Sequence, residues 1–218
     1  MSFVPPNTPL DASPVWDVAL LFPAQGQWSV NEYLSLTDAS NRLVEFDAGC
    51  IEVLEMPTIA HQRILRFLLA ALSGFVNARN LGEVLFAALP LRLGNDKYRE
   101  SDLIFVRHGQ TGSANERFLR TADLVVEVVS GGATSRQRDL VIKREEYAAA
   151  GIPEYWIVDP LDKRITVLTL AGAEYAVHGE FAPGEQATSR LLEGLAVDVT
   201  ATFRAAEGFG SPDEPPGQ

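Results

Sequence analysis

The sequence predicts an α/β fold, α+β on a stricter reading, in which a mixed β-sheet is covered by helices. Three observations carry this. Five runs rich in β-branched and aromatic residues, EVLFAALPLRL, DLIFV, DLVVEVV, EYWIVD and RITVLTL, follow one another between residues 83 and 170. A long amphipathic stretch, from about Thr58 to Asn80, precedes them. A second helical segment, roughly Ser135 to Ala150, separates the third run from the fourth, which implies a right-handed strand–helix–strand crossover.

Each element has a local reason. Residues 1–25 hold several prolines and little periodicity, so they read as an arm that Trp16, Leu20, Leu21 and Phe22 could dock onto the body. SVNEYLSL reads as a short helix. LVEFD and CIEVLE read as two short strands, and Ala48-Gly49 between them suits a tight hairpin. In the long helix Thr58 is the N-cap. Ile64, Leu65, Leu68, Leu72, Phe75 and Val76 recur every three or four residues and define one buried face. Pro90 inside the first strand candidate marks a bulge, a break or an edge. The polar stretch RHGQTGSANERFLR after DLIFV is a surface loop. In the second helix Thr134 or Ser135 caps the start, Leu140 and Tyr147 face the core, and Gly151 ends it before Pro153. Pro160-Leu161-Asp162-Lys163 turns EYWIVD into RITVLTL. The tail GFGSPDEPPGQ is rich in Gly, Pro and acid and is expected to be disordered. The organisation is thus an arm (1–25), one domain (26–206) and a tail (207–218).

Composition restricts function. The chain has 218 residues, 46% of them hydrophobic, and a net charge of −11. No apolar run is expected to reach the ~18 residues of a membrane span, and no basic-then-apolar leader begins the chain. A cytoplasmic location follows as the default. The single cysteine, Cys50, excludes an intrachain disulfide and a thiolate zinc site. The acidic balance argues against gripping duplex phosphates non-specifically. It leaves room for a nuclease, because clustered carboxylates bind Mg²⁺.

The candidate chemistry lies in DLVVEVV. Alternation puts Asp123, Val125, Glu127 and Val129 on one face and Leu124, Val126 and Val128 on the other. A mid-strand carboxylate between valines is costly unless paired or metal-bound. A buried salt bridge to Arg144 or Arg138 is the structural alternative. Asp102 heads DLIFV and shares a face with Ile104 and Val106. Two strands that each offer a carboxylate would make a hard-cation site. On the helix, Lys143 borders the core-facing stripe and Arg144 lies nearer its middle, so geometry does not choose between them. His61, near the start of the long helix, reads as surface or cap decoration, and His108 and His178, in turn-like settings, lack an Asp or Ser partner at recognisable spacing; none is assigned chemistry.

The segment ADLVVEVVS…SRQRDLVIKREEYAAAGIPEYWIVDPLDKRITVLTL closely resembles the Uma-type proteins, a bacterial group described as restriction-endonuclease-like within the PD-(D/E)XK nuclease superfamily. LVEFDAGCIEVLEMPTIAHQRI, LGEVLFAALPLRL and ESDLIFV are similar to the preceding elements of that family, so the resemblance spans about residues 28–200. It implies a restriction-endonuclease-like mixed central sheet flanked by helices. It matches Asp102 to the Asp of the motif and Glu127 to its acidic residue. The motif's lysine would fall at Val129 and is missing there; the family's lysine lies on the following helix and matches Lys143. Glu83 is the candidate for an upstream acid. Ser101 stands where a proline is usual, and Gly131-Gly132 where Ser-Pro is common.

What the resemblance implies is Mg²⁺-dependent hydrolysis of DNA phosphodiester bonds, with Mn²⁺ as a substitute. Asp102 and Glu127 would hold the metal, and Lys143 would orient water or stabilise charge on the phosphorane. Arg136 and Arg138 would contact substrate phosphates. The superfamily suggests a homodimer, through the arm or an edge strand. The competing expectation is a catalytically silent nuclease fold serving as a binding or assembly module.

Overall fold

The computed structural model describes residues 22–40, 42–132 and 136–207. The expected arm before Phe22, the Thr134 or Ser135 cap and the tail after Glu207 lie outside the described residues. In chain order the elements are α1 (Val30–Ala39), β1 (Val44–Asp47), β2 (Cys50–Val53), α2 (Ile59–Ala78), β3 (Gly82–Phe86), β4 (Pro90–Arg92), β5 (Lys97–Glu100), β6 (Leu103–Arg107) and β7 (Leu124–Val128). A π-helical turn (Arg138–Ile142) leads into α3 (Lys143–Ala149). Then come β8 (Glu154–Asp159), β9 (Arg164–Ala171), β10 (Glu174–Phe181), β11 (Gln186–Thr188), β12 (Ala196–Asp198) and α4 (Val199–Arg204).

These strands form two main sheets. The larger runs β10-β9-β8-β7-β6-β3, and the smaller runs β2-β1-β5-β4. Only β7 and β8 pair in parallel in the large sheet, as a crossover requires. Its other pairs are antiparallel, so the sheet is mixed and the class is α+β. The run EVLFAALPLRL is divided at Pro90: β3 edges the large sheet, and β4 starts at the proline on the edge of the small one. Lacking an N–H, proline is tolerated at such a strand start.

Alternation sorts the large sheet's side chains. Leu103, Phe105, Leu124, Val126, Val128 and Trp156 face α2, whose Ile64, Leu65, Leu68, Leu72 and Val76 are buried against them. Ile104, Val106, Val125, Val129, Tyr155 and Ile157 face Tyr147 and Ala148 of α3. By length and composition α2 is long and apolar enough to cross a membrane, contrary to the sequence expectation, with a mean hydropathy of 1.2. In this fold its most apolar stripe is buried on the sheet. The Thr58 hydroxyl accepts from the His61 N–H at 3.2 Å and caps it.

A third core lies between α1 and the small sheet, built from Trp28, Tyr33, Phe46 and Tyr98. The β1–β2 hairpin turns through Ala48 and Gly49, both at positive φ. A Cβ at Gly49 would lie 2.7 Å from the Gly26 carbonyl oxygen, so only glycine allows this packing. Gln25 completes the attachment: its side chain donates to Ile51 O and accepts from Ile51 N. The 107–120 loop is tied down at its end by buried Leu119 and by Phe118, edge-on to Tyr98.

Candidate active site

Strand pairing brings the two motif acids together. β6 and β7 are antiparallel with Leu103 opposite Val126 and Ile104 opposite Val125. Asp102 immediately precedes β6, and extending that register by one residue sets it across from Glu127. The Val128 N–H donates to Asp102 Oδ2 at 2.7 Å, which fixes the aspartate at the end of the glutamate's strand. Cross-strand neighbours have Cβ atoms ~4.5–5.5 Å apart, close enough for two carboxylates to share one cation.

Lys143 enters from the helix after β7. The π-turn closes with an i→i+5 bond from Lys143 N to Arg138 O. This wider turn realigns the helix, so the buried row is Asp139, Lys143 and Tyr147, while Leu140 is only half-buried. Lys143 Nζ lies 3.0 Å from Glu127 Oε1, 3.2 Å from Glu45 Oε1 and 3.7 Å from Asp139 Oδ1. It also donates to Glu100 O at 3.3 Å. Tyr147 donates to Glu127 Oε1 at 2.6 Å. Its single proton is used there, so the Ser101 hydroxyl, 2.9 Å away, donates to Tyr147. Arg144, the competing cation, reaches Tyr175 O on β10 instead. Glu127 therefore pairs with Lys143 and with neither arginine expected from the sequence.

Two residues join that sequence reasoning missed. Glu45, from β1 of the small sheet, is 1% exposed and also accepts from the Glu100 N–H. Its signal was legible: an acid between Val44 and Phe46 in a short apolar strand poses the same puzzle as Glu127. His61 sits on the first turn of the buried stripe of α2, with its Nε2 3.2 Å from Asp102 Oδ2. Its position, three residues before Ile64 and seven before Leu68, was the available clue.

Charge balance defines what this cluster can do. Burial, above all, raises the Glu127 carboxyl; Lys143 lowers it, and Asp102 and Asp139 raise it further. Burial likewise raises Asp139. Burial alone would strip Lys143 of its proton, but Glu127, Glu45 and Asp139 hold it well above its ordinary value. Glu100 is pushed up to about 7, first by burial and then by Glu45. Lys143, with Arg99 3.7 Å from Glu45 Oε2 and Arg138 3.4 Å from Asp139 Oδ1, thus faces several crowded acids, and the raised Glu127, Asp139 and Glu100 carboxyls mean that the cluster favours bound protons or an additional cation.

The donor set fits a hard cation. Among the described residues, the hydrogen bonds to Asp102 fall on Oδ2 and those to Glu127 on Oε1, so Asp102 Oδ1 and Glu127 Oε2 accept none. Glu45 Oε2 is buried without a hydrogen bond. No group of three or more His, Cys, Asp or Glu side chains is placed to hold a metal ion among the described residues. Mg²⁺ does not need one, because it retains several waters and binds through one or two carboxylates. On its other side the cluster meets a cavity of about 520 Å³ lined by Glu45, Asp47, Glu52, Arg99 and Arg138.

The remaining expected residues are placed elsewhere. Glu83 does not join the cluster: it is exposed on β3 and lies opposite Val106, four residues along β6 from Asp102. At ~3.3 Å per residue that separates it by more than 10 Å. Starting a strand after the long helix gave it the wrong end of the pairing register. Arg136 pairs with Asp159 at 2.7 Å and with Asp162 at 3.4 Å, at the C-terminal end of β8. Arg138 borders the cluster, paired with Glu52 at 2.9 Å and Asp139 at 3.4 Å. Neither guanidinium is held ready for phosphate without exchanging a carboxylate.

No curated protein matches the chain at a significant level. Among solved structures it is similar to one described as a "putative nuclease belonging to DUF820" from Anabaena variabilis, with 17% identity and a TM-score of 0.64. That match covers 84% of this chain and 99% of the other, and it shows a shared fold. The model of a family described as "Uma2: Putative restriction endonuclease" matches residues 30–200, including every residue of the cluster. The chain therefore belongs to the Uma2 family, as the resemblance in its central segment implied.

Proposed function

We propose that this protein is a metal-dependent endonuclease that hydrolyses DNA phosphodiester bonds, with its site at Asp102, Glu127 and Lys143. The observation that carries the reading is the juxtaposition of Asp102 and Glu127 across one register step, each with a carboxylate oxygen free of hydrogen bonds. Family membership supports a nuclease in general.

Asp102 and Glu127 would hold a divalent cation, Mg²⁺ or Mn²⁺, on those two oxygens. When bound, such a cation polarises the scissile phosphate and lowers the pKa of a coordinated water. The protein's part is positioning. His61 and the Val128 N–H fix Asp102 by its other oxygen. Lys143 and Tyr147 do the same for Glu127. Lys143 already meets Glu127, Glu45 and Glu100 O, so its first task is to keep the acids ionised and oriented. It reaches a phosphate oxygen only by giving up one of them. Glu45 replaces Glu83 as the candidate upstream acid.

The test is cleavage of circular DNA, supercoiled plasmid and single-stranded circle alike, with Mg²⁺ or Mn²⁺. Wild type should nick or linearise it. Glu127→Gln should lose more than the ~10–100-fold typical of outer-shell changes at metal sites. Equal activity in wild type and variant, or none in either, leaves the silent binding-module reading in its place. We also propose a homodimer through an edge strand, which sedimentation of the full chain would check.

A further inference from the structure

A groove of about 460 Å³ runs between the side of α2 and the end of β3, walled by Ile59, Leu65, Leu69 and Phe86 and edged by Gln62 and Arg66. It adjoins the candidate site. Phe86 lies opposite Leu103, the residue after Asp102, and the next N–H, of Ala87, donates to Asp102 O at 3.2 Å. Gln62 follows His61, whose ring touches the Asp102 carboxylate. Phe86 is 57% exposed and Ile59 72% exposed, so two large apolar side chains stand in water beside a polar centre.

We propose that this groove binds an unstacked base of single-stranded nucleic acid, next to the phosphate presented to Asp102 and Glu127. The proposal rests on the nuclease reading and names its substrate class. Phosphates need cations, but most of this wall is apolar, and apolar and aromatic surface suits the face of a base. Gln62 has both a donor and an acceptor for a base edge. The charge is suited as well: the protein carries −11 overall, yet the 20 residues of α2 include no Asp or Glu and place Arg63 and Arg66 along the groove. So acidic a surface is poorly suited to a rigid duplex, whose affinity comes mainly from many phosphate contacts. A flexible strand can present one phosphate and one base and leave the remaining charge in solvent. The volume falls within the ~300–1,000 Å³ range of small-ligand pockets.

The experiment uses the full chain in EDTA, so that binding is read without turnover. A labelled single-stranded oligonucleotide containing 2-aminopurine and its fully paired duplex are titrated by anisotropy and 2-aminopurine fluorescence. The single strand should bind at least about 10-fold tighter than the duplex, with quenching of the 2-aminopurine. Phe86→Ala should weaken single-strand binding by about 10-fold, and Phe86→Trp should retain it. Ile59→Glu, a change at an exposed position, should weaken it too. Thermal melts of all three variants should match wild type. Equal affinity for strand and duplex, or tight single-strand binding unchanged in Phe86→Ala and Ile59→Glu, overturns the groove. Cleavage in Mg²⁺ separates the two readings. Cleavage with Phe86-independent binding removes only the groove. Phe86-dependent binding with no cleavage of either form removes only the nuclease assignment.

Discussion

Lys143 is buried to 2% exposure among Glu45, Glu127 and Asp139, and this sets a clear expectation for its removal. Lys143→Ala should cost about 3–5 kcal/mol, because it strips buried Glu127 of its counter-ion and Glu45 and Asp139 of one of theirs. Denaturant unfolding would measure it. Those acids would then bind protons more tightly folded than unfolded, so part of the loss should return as pH falls toward ~5. Lys143→Arg should not restore the wild type, since a planar fork cannot replace a compact ammonium among three carboxylates and the Glu100 carbonyl. The same residue shows how far sequence alone reaches. Glu127 announced itself by breaking an apolar run, and Asp102 by heading the next strand, but a helical wheel of 3.6 residues per turn left Lys143 and Arg144 tied. The π-turn that separates them has no pattern in RQRDLVIK to reveal it. Glu45 carried the same signal as Glu127 in a four-residue strand too short to attract notice.

Each helix and strand near the site is anchored by charge as well as by packing. Glu146 of α3 accepts from Arg99 at 2.6 and 2.7 Å and from Lys97 at 2.7 Å, which joins the helix to β5. Burial alone would raise its carboxyl, but the Arg99 and Lys97 hydrogen bonds hold it below the ordinary value. This contribution is complete above the unfolded carboxyl value of ~4.3 and fades as pH drops through the lower folded one. Glu146→Gln should therefore flatten the acid limb of a pH–stability curve while changing little at low pH; a steep limb in the variant would contradict it. Glu154 on β8 is a second anchor, accepting from Trp156, Ser189, Arg190 and Leu191. Glu154→Ala should lower stability by several kcal/mol, at about 1.5–3 kcal/mol per charged hydrogen bond, and loosen residues 189–191 in hydrogen exchange. The strong strands and the long helix were legible because their apolar periodicity is dense. β5, spelled KYRE, and β10, mostly solvent-facing, were not, because charge and exposure erase alternation. The division of EVLFAALPLRL between two sheets was legible only as a warning at Pro90.

In the molecule as a whole, the candidate site is a junction between two sheets: Glu45 comes from the small one, and Asp102 and Glu127 stand on or beside the large one. Filling it with a divalent cation should tighten that junction. At 100 times its dissociation constant a ligand adds about 2.7 kcal/mol, or several degrees in Tm for a domain of this size. Mg²⁺ and Ca²⁺ should both raise the Tm of wild type, and neither should raise that of a doubly neutralised Asp102→Asn, Glu127→Gln protein. Differential scanning fluorimetry would read this without any substrate. The pairing order has a further consequence in time. Asp102, Glu127, Asp139, Lys143 and Tyr147 lie between residues 102 and 147, whereas Glu45 joins Lys143 from far before that span, and Glu100, whose N–H it accepts, from 55 residues away. Nearby groups meet sooner than distant ones, since closing a longer loop costs more entropy. During refolding the ammonium would first settle among its local acids, and the hairpin bearing Glu45 would be the late arrival that seals the chamber.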